Sequence, residues 1–201
     1  TITLAQNTEG HITGLDLFPA FIDKFNQNIN KKHLGSRITT LVGSMNELPF
    51  NEKEFDLIWS EGAIYNIGFQ YGLKLWNKYL KPGGYVAVSE VSWFTESRPA
   101  EIENFWMDAY PEIDTIPNKV MHLQNAGYIP VAHFILPVNC WTKNFYEPML
   151  PVQKAYIERN GNNKIAMEFL KDQQHEKNLY YKYNSFYGYV FYLGKKDIIN
   201  N

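Results

Sequence analysis

Phe55-Asp-Leu-Ile-Trp59, a helical stripe through Leu73, Trp76 and Leu80, the break Lys81-Pro-Gly-Gly84, and then Tyr85-Val-Ala-Val-Ser-Glu-Val91 form the stretch that decides the fold class. The two flanking runs are short, apolar and rich in strand formers, as buried strands are. The spacing between them predicts a helix with one apolar face, stopped at the Pro-Gly-Gly. A strand, a helix and a second strand make a crossover, and crossovers join parallel neighbours. Working outward, His11-Ile-Thr-Gly-Leu-Asp16 reads as another buried strand. Pro19 stands where a helix can begin, with Phe21, Ile22, Phe25 and Ile29 at helical spacing. Arg37 to Val42 is rich in β-branched residues and reads as a strand. The expectation is an α/β fold with a mostly parallel sheet and helices on both faces.

Beyond Val91 the alternation loosens. Ile102, Phe105, Trp106, Ala109 and Tyr110 follow an amphipathic stripe, and a short helix is expected from Pro117 to Asn125 with Gly127 past its end. Ile129 to Leu136 reads as a strand, Asn162 to Tyr183 has a helical rhythm, and Tyr187 to Leu193 reads as a final strand. The chain is expected to be one domain over residues 1–201, with helical insertions or a lid at 92–128 and 145–183.

Composition narrows the class. Of 201 residues, 45% are hydrophobic and 20% charged, which supplies a core and argues against disorder. The net charge of -2, with signs interspersed, favours neither nucleic acid nor an anionic membrane as partner. Cys140 stands alone, so no intramolecular disulfide forms, and no apolar run spans a bilayer. A cytoplasmic protein with no membrane partner is the expectation.

Chemistry-bearing residues gather at expected strand ends. In open α/β sheets, ligands lie beyond the carboxyl ends of the strands, and an acid there accepts hydrogen bonds from ribose hydroxyls. Asp16 has that position, although a turn aspartate would look the same. Gly43-Ser-Met-Asn-Glu-Leu-Pro-Phe50 follows the next strand, and Ser60-Glu-Gly62 the one after. An acid such as Glu61 is costly to bury unless paired. None of the five histidines pairs with another at metal-ligand spacing, so no metal site and no catalytic base is named.

The ordered set Gly14-Leu-Asp16, Gly43 through Leu48-Pro-Phe50, Phe55-Asp-Leu-Ile58 and Leu80-Lys-Pro-Gly-Gly84 resembles the class I methyltransferases of the ubiquinone and menaquinone biosynthesis type. The resemblance covers roughly the first half of the chain. It implies a Rossmann-like sheet with an antiparallel last strand, S-adenosylmethionine as cofactor, and a small-molecule methyl acceptor. It implies further that Asp16 holds the ribose with Leu17 beside the adenine. Ser44, Met45 and Asn46 would border the adenine, and Ser60 and Glu61 would lie where the methionine moiety meets the acceptor. Ser44 departs from the acid often found there, which weakens that contact and shifts it toward Asn46 or the backbone. The family's glycine-rich cofactor loop is absent, and Thr1-Ile-Thr-Leu-Ala-Gln6 reads as the helix that follows it. The chain is therefore expected to lack its first strand, to bind cofactor poorly and to associate, as a homodimer, through the vacant edge.

The acceptor pocket is expected to draw on Glu61, Tyr65, Trp93, Trp106 and Tyr110, with Phe105 turned to the core while Trp106 and Tyr110 flank a cleft. Two other readings stay open. One is a nicotinamide-dependent oxidoreductase, which shares the ribose acid but not any Gly-x-Gly-x-x-Gly here. The other is a non-catalytic Rossmann-like interaction domain, which fold alone does not exclude.

Overall fold

The computed structural model describes residues 1–160 and 163–198. Two compact units divide the chain, Thr1–Glu54 and Phe55–Asn201.

The first unit runs α1 (Ile2–Asn7), β1 (Ile12–Asp16), α2 (Pro19–Lys31), β2 (Ile38–Val42). Strands β1 and β2 pair in parallel from Ile12 opposite Ile38 to Asp16 opposite Val42. Helix α2 starts at Pro19, whose fixed φ and missing N–H suit a first turn. It buries Ile22 and Ile29 but leaves Phe21 exposed. Ala5, Ile29 and Ile38 form a small core with Ile2, Ile12, Phe25 and Leu34 against it. Strand and helix approach closely at Gly14, where a Cβ would collide with the Phe25 ring. The Arg37 guanidinium donates to the carbonyls of Thr8 and Gly10, both at 2.6 Å, and so ties down the turn before β1.

The second unit contains β3 (Phe55–Glu61), α3 (Phe69–Asn77), β4 (Leu80–Trp93), α4 (Ala100–Ala109), β5 (Asp114–Thr115) and α5 (Ile116–Asn125). It continues with β6 (Tyr128–Ile135), α6 (Val138–Trp141), α7 (Glu147–Asn160), α8 (Lys164–Tyr183) and β7 (Tyr187–Lys196). The sheet order is β3-β4-β7-β6, with β5 pairing β4. Strands β3 and β5 run parallel to β4, and β7 is antiparallel to both β4 and β6. The last strand is thus the one that runs against the others, as expected.

One element differs from its reading. The α3 helix ends at Asn77, and Leu80 opens β4 instead of closing the helix. The Lys81-Pro-Gly-Gly84 segment is a bulge in the strand: Phe55 pairs Leu80 and Leu57 pairs Tyr85, so Asp56 alone faces four residues. Lys81 Nζ closes on Asp56 Oδ2 at 2.8 Å across it, and Gly83 takes a φ of 76° that a side chain would resist. Residues 92–128 hold the end of β4, α4, β5 and α5, and residues 145–183 hold α7 and α8. Within the latter range Gly161 and Asn162 lie outside the described residues, and Asn163 caps α8 through bonds from the Ile165 and Ala166 amides.

Candidate functional site

In the first unit the relevant groups sit at the carboxyl end of the parallel pair. Asp16 is the last residue of β1; its carbonyl accepts from the Gly43 amide at 2.9 Å. Its Oδ1 accepts from the Phe18 amide at 2.9 Å, an Asx-type turn that fixes the carboxylate. Its other oxygen makes no hydrogen bond among the described residues. Leu17, beside it, is 58% exposed. Ser44 Oγ accepts from the Asn46 amide at 3.2 Å, and the Ser44 carbonyl accepts from the Glu47 amide. Met45 and Ser44 are half-buried, and Asn46 is exposed. A fixed carboxylate with an oxygen to spare, next to an exposed apolar side chain, fits a ribose diol and a flat base.

The second unit presents its own carboxyl edge. Ser60 pairs Val88 and Glu61 pairs Ser89 at the end of β3. Glu61 is exposed, and its Oε1 accepts from Trp59 Nε1 at 2.5 Å. Gly62 turns the chain with a φ of 53° and donates its amide to Ser89 Oγ at 2.9 Å. Tyr65 is exposed and meets Tyr110 edge-on, with ring centroids 6.1 Å apart. Of the expected acceptor residues, the structure therefore brings Tyr65 and Tyr110 together.

Trp93 and Trp106 have a different setting. Trp93 is 2% exposed, lies edge-on to Tyr187, and carries the Arg98 guanidinium over its ring at 4.3 Å. Trp106 is buried in the same aromatic core, while Phe105 is only partly buried against it. Trp106, expected to flank a cleft, is thus in the core, while Phe105 and Tyr110 both pack at the margin of that core. Trp141, Tyr180 and Tyr187, contributed by α6, α8 and β7, belong to the same core, and Trp106 meets Tyr187 edge-on with ring centroids 5.3 Å apart.

The sequence pattern alone did not single out Glu90 and Lys119. Glu90 is fully buried in β4, and Lys119 of α5 is 1% exposed. Lys119 Nζ lies 3.2 Å from Glu90 Oε1 and donates to the Glu112 carbonyl at 2.8 Å. Tyr110 also donates its hydroxyl to Glu90 Oε1. Burial pushes the Glu90 carboxyl above its ordinary range against the opposing pull of Lys119, and burial likewise pulls the Lys119 ammonium down. The signal was present: Glu90 is the one charged residue in the run from Tyr85 to Val91, which apart from Ser89 is otherwise apolar. Among the described residues no group of histidine, cysteine and carboxylate side chains is arranged to hold a metal ion, and no helix is long and apolar enough to cross a membrane.

With this geometry in place, comparison with known proteins is informative. Residues 1–88 match the family model described as a methyltransferase domain. No curated protein matches the chain. Among solved structures, the SAM-dependent methyltransferase from Geobacter sulfurreducens, in complex with S-adenosyl-L-homocysteine, is similar at a TM-score of 0.80 and 16% identity, over 96% of this chain and 78% of that one. The corresponding complex from Thiobacillus denitrificans gives 0.79 and 17%, again over 96% and 78%. The (4+2)-cyclase SpnF gives 0.75 and 18%, over 98% and 70%. The chain has the Rossmann-like fold of the S-adenosylmethionine-dependent methyltransferases. The cyclase shows that a fold of this kind also carries other chemistry, so function must be argued from the residues.

Proposed function

We propose that this protein is an S-adenosylmethionine-dependent methyltransferase acting on a small molecule. The observation that carries the reading is Asp16, fixed by the Phe18 amide at the carboxyl end of a parallel strand, with an oxygen left to accept from a ribose hydroxyl. The match of residues 1–88 to a methyltransferase-domain model supports it.

S-adenosylmethionine, when bound, supplies a methyl carbon that is already strongly electrophilic. The protein's task is then mainly to align an acceptor and exclude water. Asp16 accepts from the ribose, Leu17 and Met45 give apolar contact to the base, and Ser44 and Asn46 offer polar atoms at its edge. Ser60 and Glu61 belong to the methionine and acceptor end of the same reading, with Tyr65 and Tyr110 as acceptor contacts. Trp93 and Trp106 support that wall from the core behind it. The partner in this reading is a small organic acceptor in a cytoplasmic setting, with neither nucleic acid nor membrane involved.

Calorimetric titration with S-adenosylmethionine, S-adenosylhomocysteine and NAD tests the proposal. Weak binding of the first two and no binding of NAD is expected. Binding of NAD alone would favour the oxidoreductase reading, and binding of none would favour an interaction domain.

A further inference from the structure

Glu90 presents an unusual balance for a buried carboxylate. Its Oε1 takes two donors, the Tyr110 hydroxyl and Lys119 Nζ, while Oε2 is buried with no hydrogen-bond partner among the described residues. An acceptor left unmatched in the interior is destabilising, and more so when it is charged. A donor arriving from a ligand would remove that cost.

The surroundings select which donor. Glu112 adds its negative field to that of Glu90, and Lys119 feels Glu90, Glu112 and Asp114 together. Asp114 is met by His122 at 3.5 Å. Glu90, Asp114 and Glu112, whose Oε2 accepts from the Phe69 amide at 3.0 Å, thus outnumber the single lysine, and the balance favours a further positive charge. Aromatic groups favour it too. Lys119 already lies 4.5 Å from the Phe69 ring centroid and 5.4 Å from that of Tyr110. Tyr110 in turn meets Tyr65, which is 43% exposed and gives the cluster a side open to solvent. Burial, and after it the charge of Glu90, raises the Tyr189 hydroxyl above its ordinary range. It also lies 3.4 Å from where a Cβ on Gly62 would stand, at the turn that ends β3. A carboxylate with tyrosines grouped beside it is the chemistry that recognises an organic ammonium.

We propose that Glu90 Oε2, with Tyr65, Tyr110 and Tyr189 around it, binds the ammonium group of an amine, which makes the methyl acceptor an amine. Glu90 is then shared between two cations, Lys119 on Oε1 and the ligand on Oε2, and Tyr110 holds the carboxylate in place. The assignment of an amine as acceptor rests on the methyltransferase reading; the ammonium site itself does not.

The test uses benzylamine, cationic at neutral pH, and benzyl alcohol, its uncharged counterpart, titrated by ligand-observed NMR with and without S-adenosylhomocysteine. Benzylamine should bind the protein about tenfold or more tightly than the alcohol, the scale of a charge-assisted bond plus a cation–π contact. The preference should vanish in Glu90→Gln. Because that change strands Lys119, the double variant Glu90→Gln with Lys119→Met provides a second measurement, removing both charges while keeping volume. S-adenosylhomocysteine affinity should be the same in wild type and variants. Equal binding of amine and alcohol, or a preference that survives in a folded double variant, overturns the ammonium site. An amine preference without S-adenosylhomocysteine binding leaves the site standing and removes the methyltransferase reading instead.

Discussion

Trp106 has its ring 5.3 Å from that of Tyr187 and a second edge-on contact with Phe105, and it is 9% exposed. Replacing it with alanine should cost about 3–5 kcal/mol of folding stability, as removal of a buried aromatic does. Denaturant unfolding measures this, and a loss below about 1 kcal/mol would contradict core packing. The contrast with Phe105 explains what the sequence could not supply. Adjacent helical residues differ by about 100° in direction, so the width of the apolar stripe leaves both aromatics eligible for the core. The choice falls to partners far along the chain, Trp141, Tyr180 and Tyr187. Glu90 is the opposite case, since a carboxylate inside an apolar run is by itself the mark of a buried partner. Which partner it finds, Lys119 on α5, again depends on tertiary packing.

Among the elements, α8 carries a titratable group whose effect has a definite sign. Glu176 accepts from the Tyr146 hydroxyl at 3.1 Å, and burial raises its carboxyl above the ordinary 4.5 despite that bond. The folded state therefore holds the proton more tightly than the unfolded chain. The resulting stability is fully present below 4.5 and is lost as pH rises through the folded-state value. Relative to Glu176→Gln, the wild type should lose melting temperature between pH 4 and pH 7; a constant difference across that range would contradict the burial effect. Strand β4 shows where reading by element stops short. Its apolar core, Tyr85 to Val91, was legible from composition alone. The Lys81-Pro-Gly-Gly84 segment looked like a helix stop because glycine and proline end helices and interrupt strands by the same local chemistry. Only the pairing of Phe55 with Leu80 shows that the strand has already begun.

At the scale of the whole molecule, the two units differ in what holds them. The first has Ala5, Ile29 and Ile38 as its core cluster, whereas the second packs Val91, Trp93, Ile102, Trp106 and their aromatic neighbours against β4 and β7. A unit with so little buried apolar surface is expected to open below the global unfolding free energy. Hydrogen exchange followed by mass spectrometry should show faster exchange in β1 and β2 than in β4 and β7, and equal protection would contradict this difference. The alternation of strands and helices was readable from apolar patterning, and the strand-end position of Asp16 came with it; the antiparallel last strand followed from the resemblance carried by the motifs. What no pattern conveyed was the local bonding that gives Asp16 its use, with one oxygen held by the Phe18 amide and the other left available. The most direct measurement is calorimetric titration of S-adenosylhomocysteine into the wild type and Asp16→Ala, with circular dichroism to establish that both are folded. Weak binding to the wild type, weakened further by about 1.5–3 kcal/mol in the variant, is the predicted result. Equal affinity in two folded proteins, or no binding to the wild type, would contradict the role given to Asp16 and the function built on it.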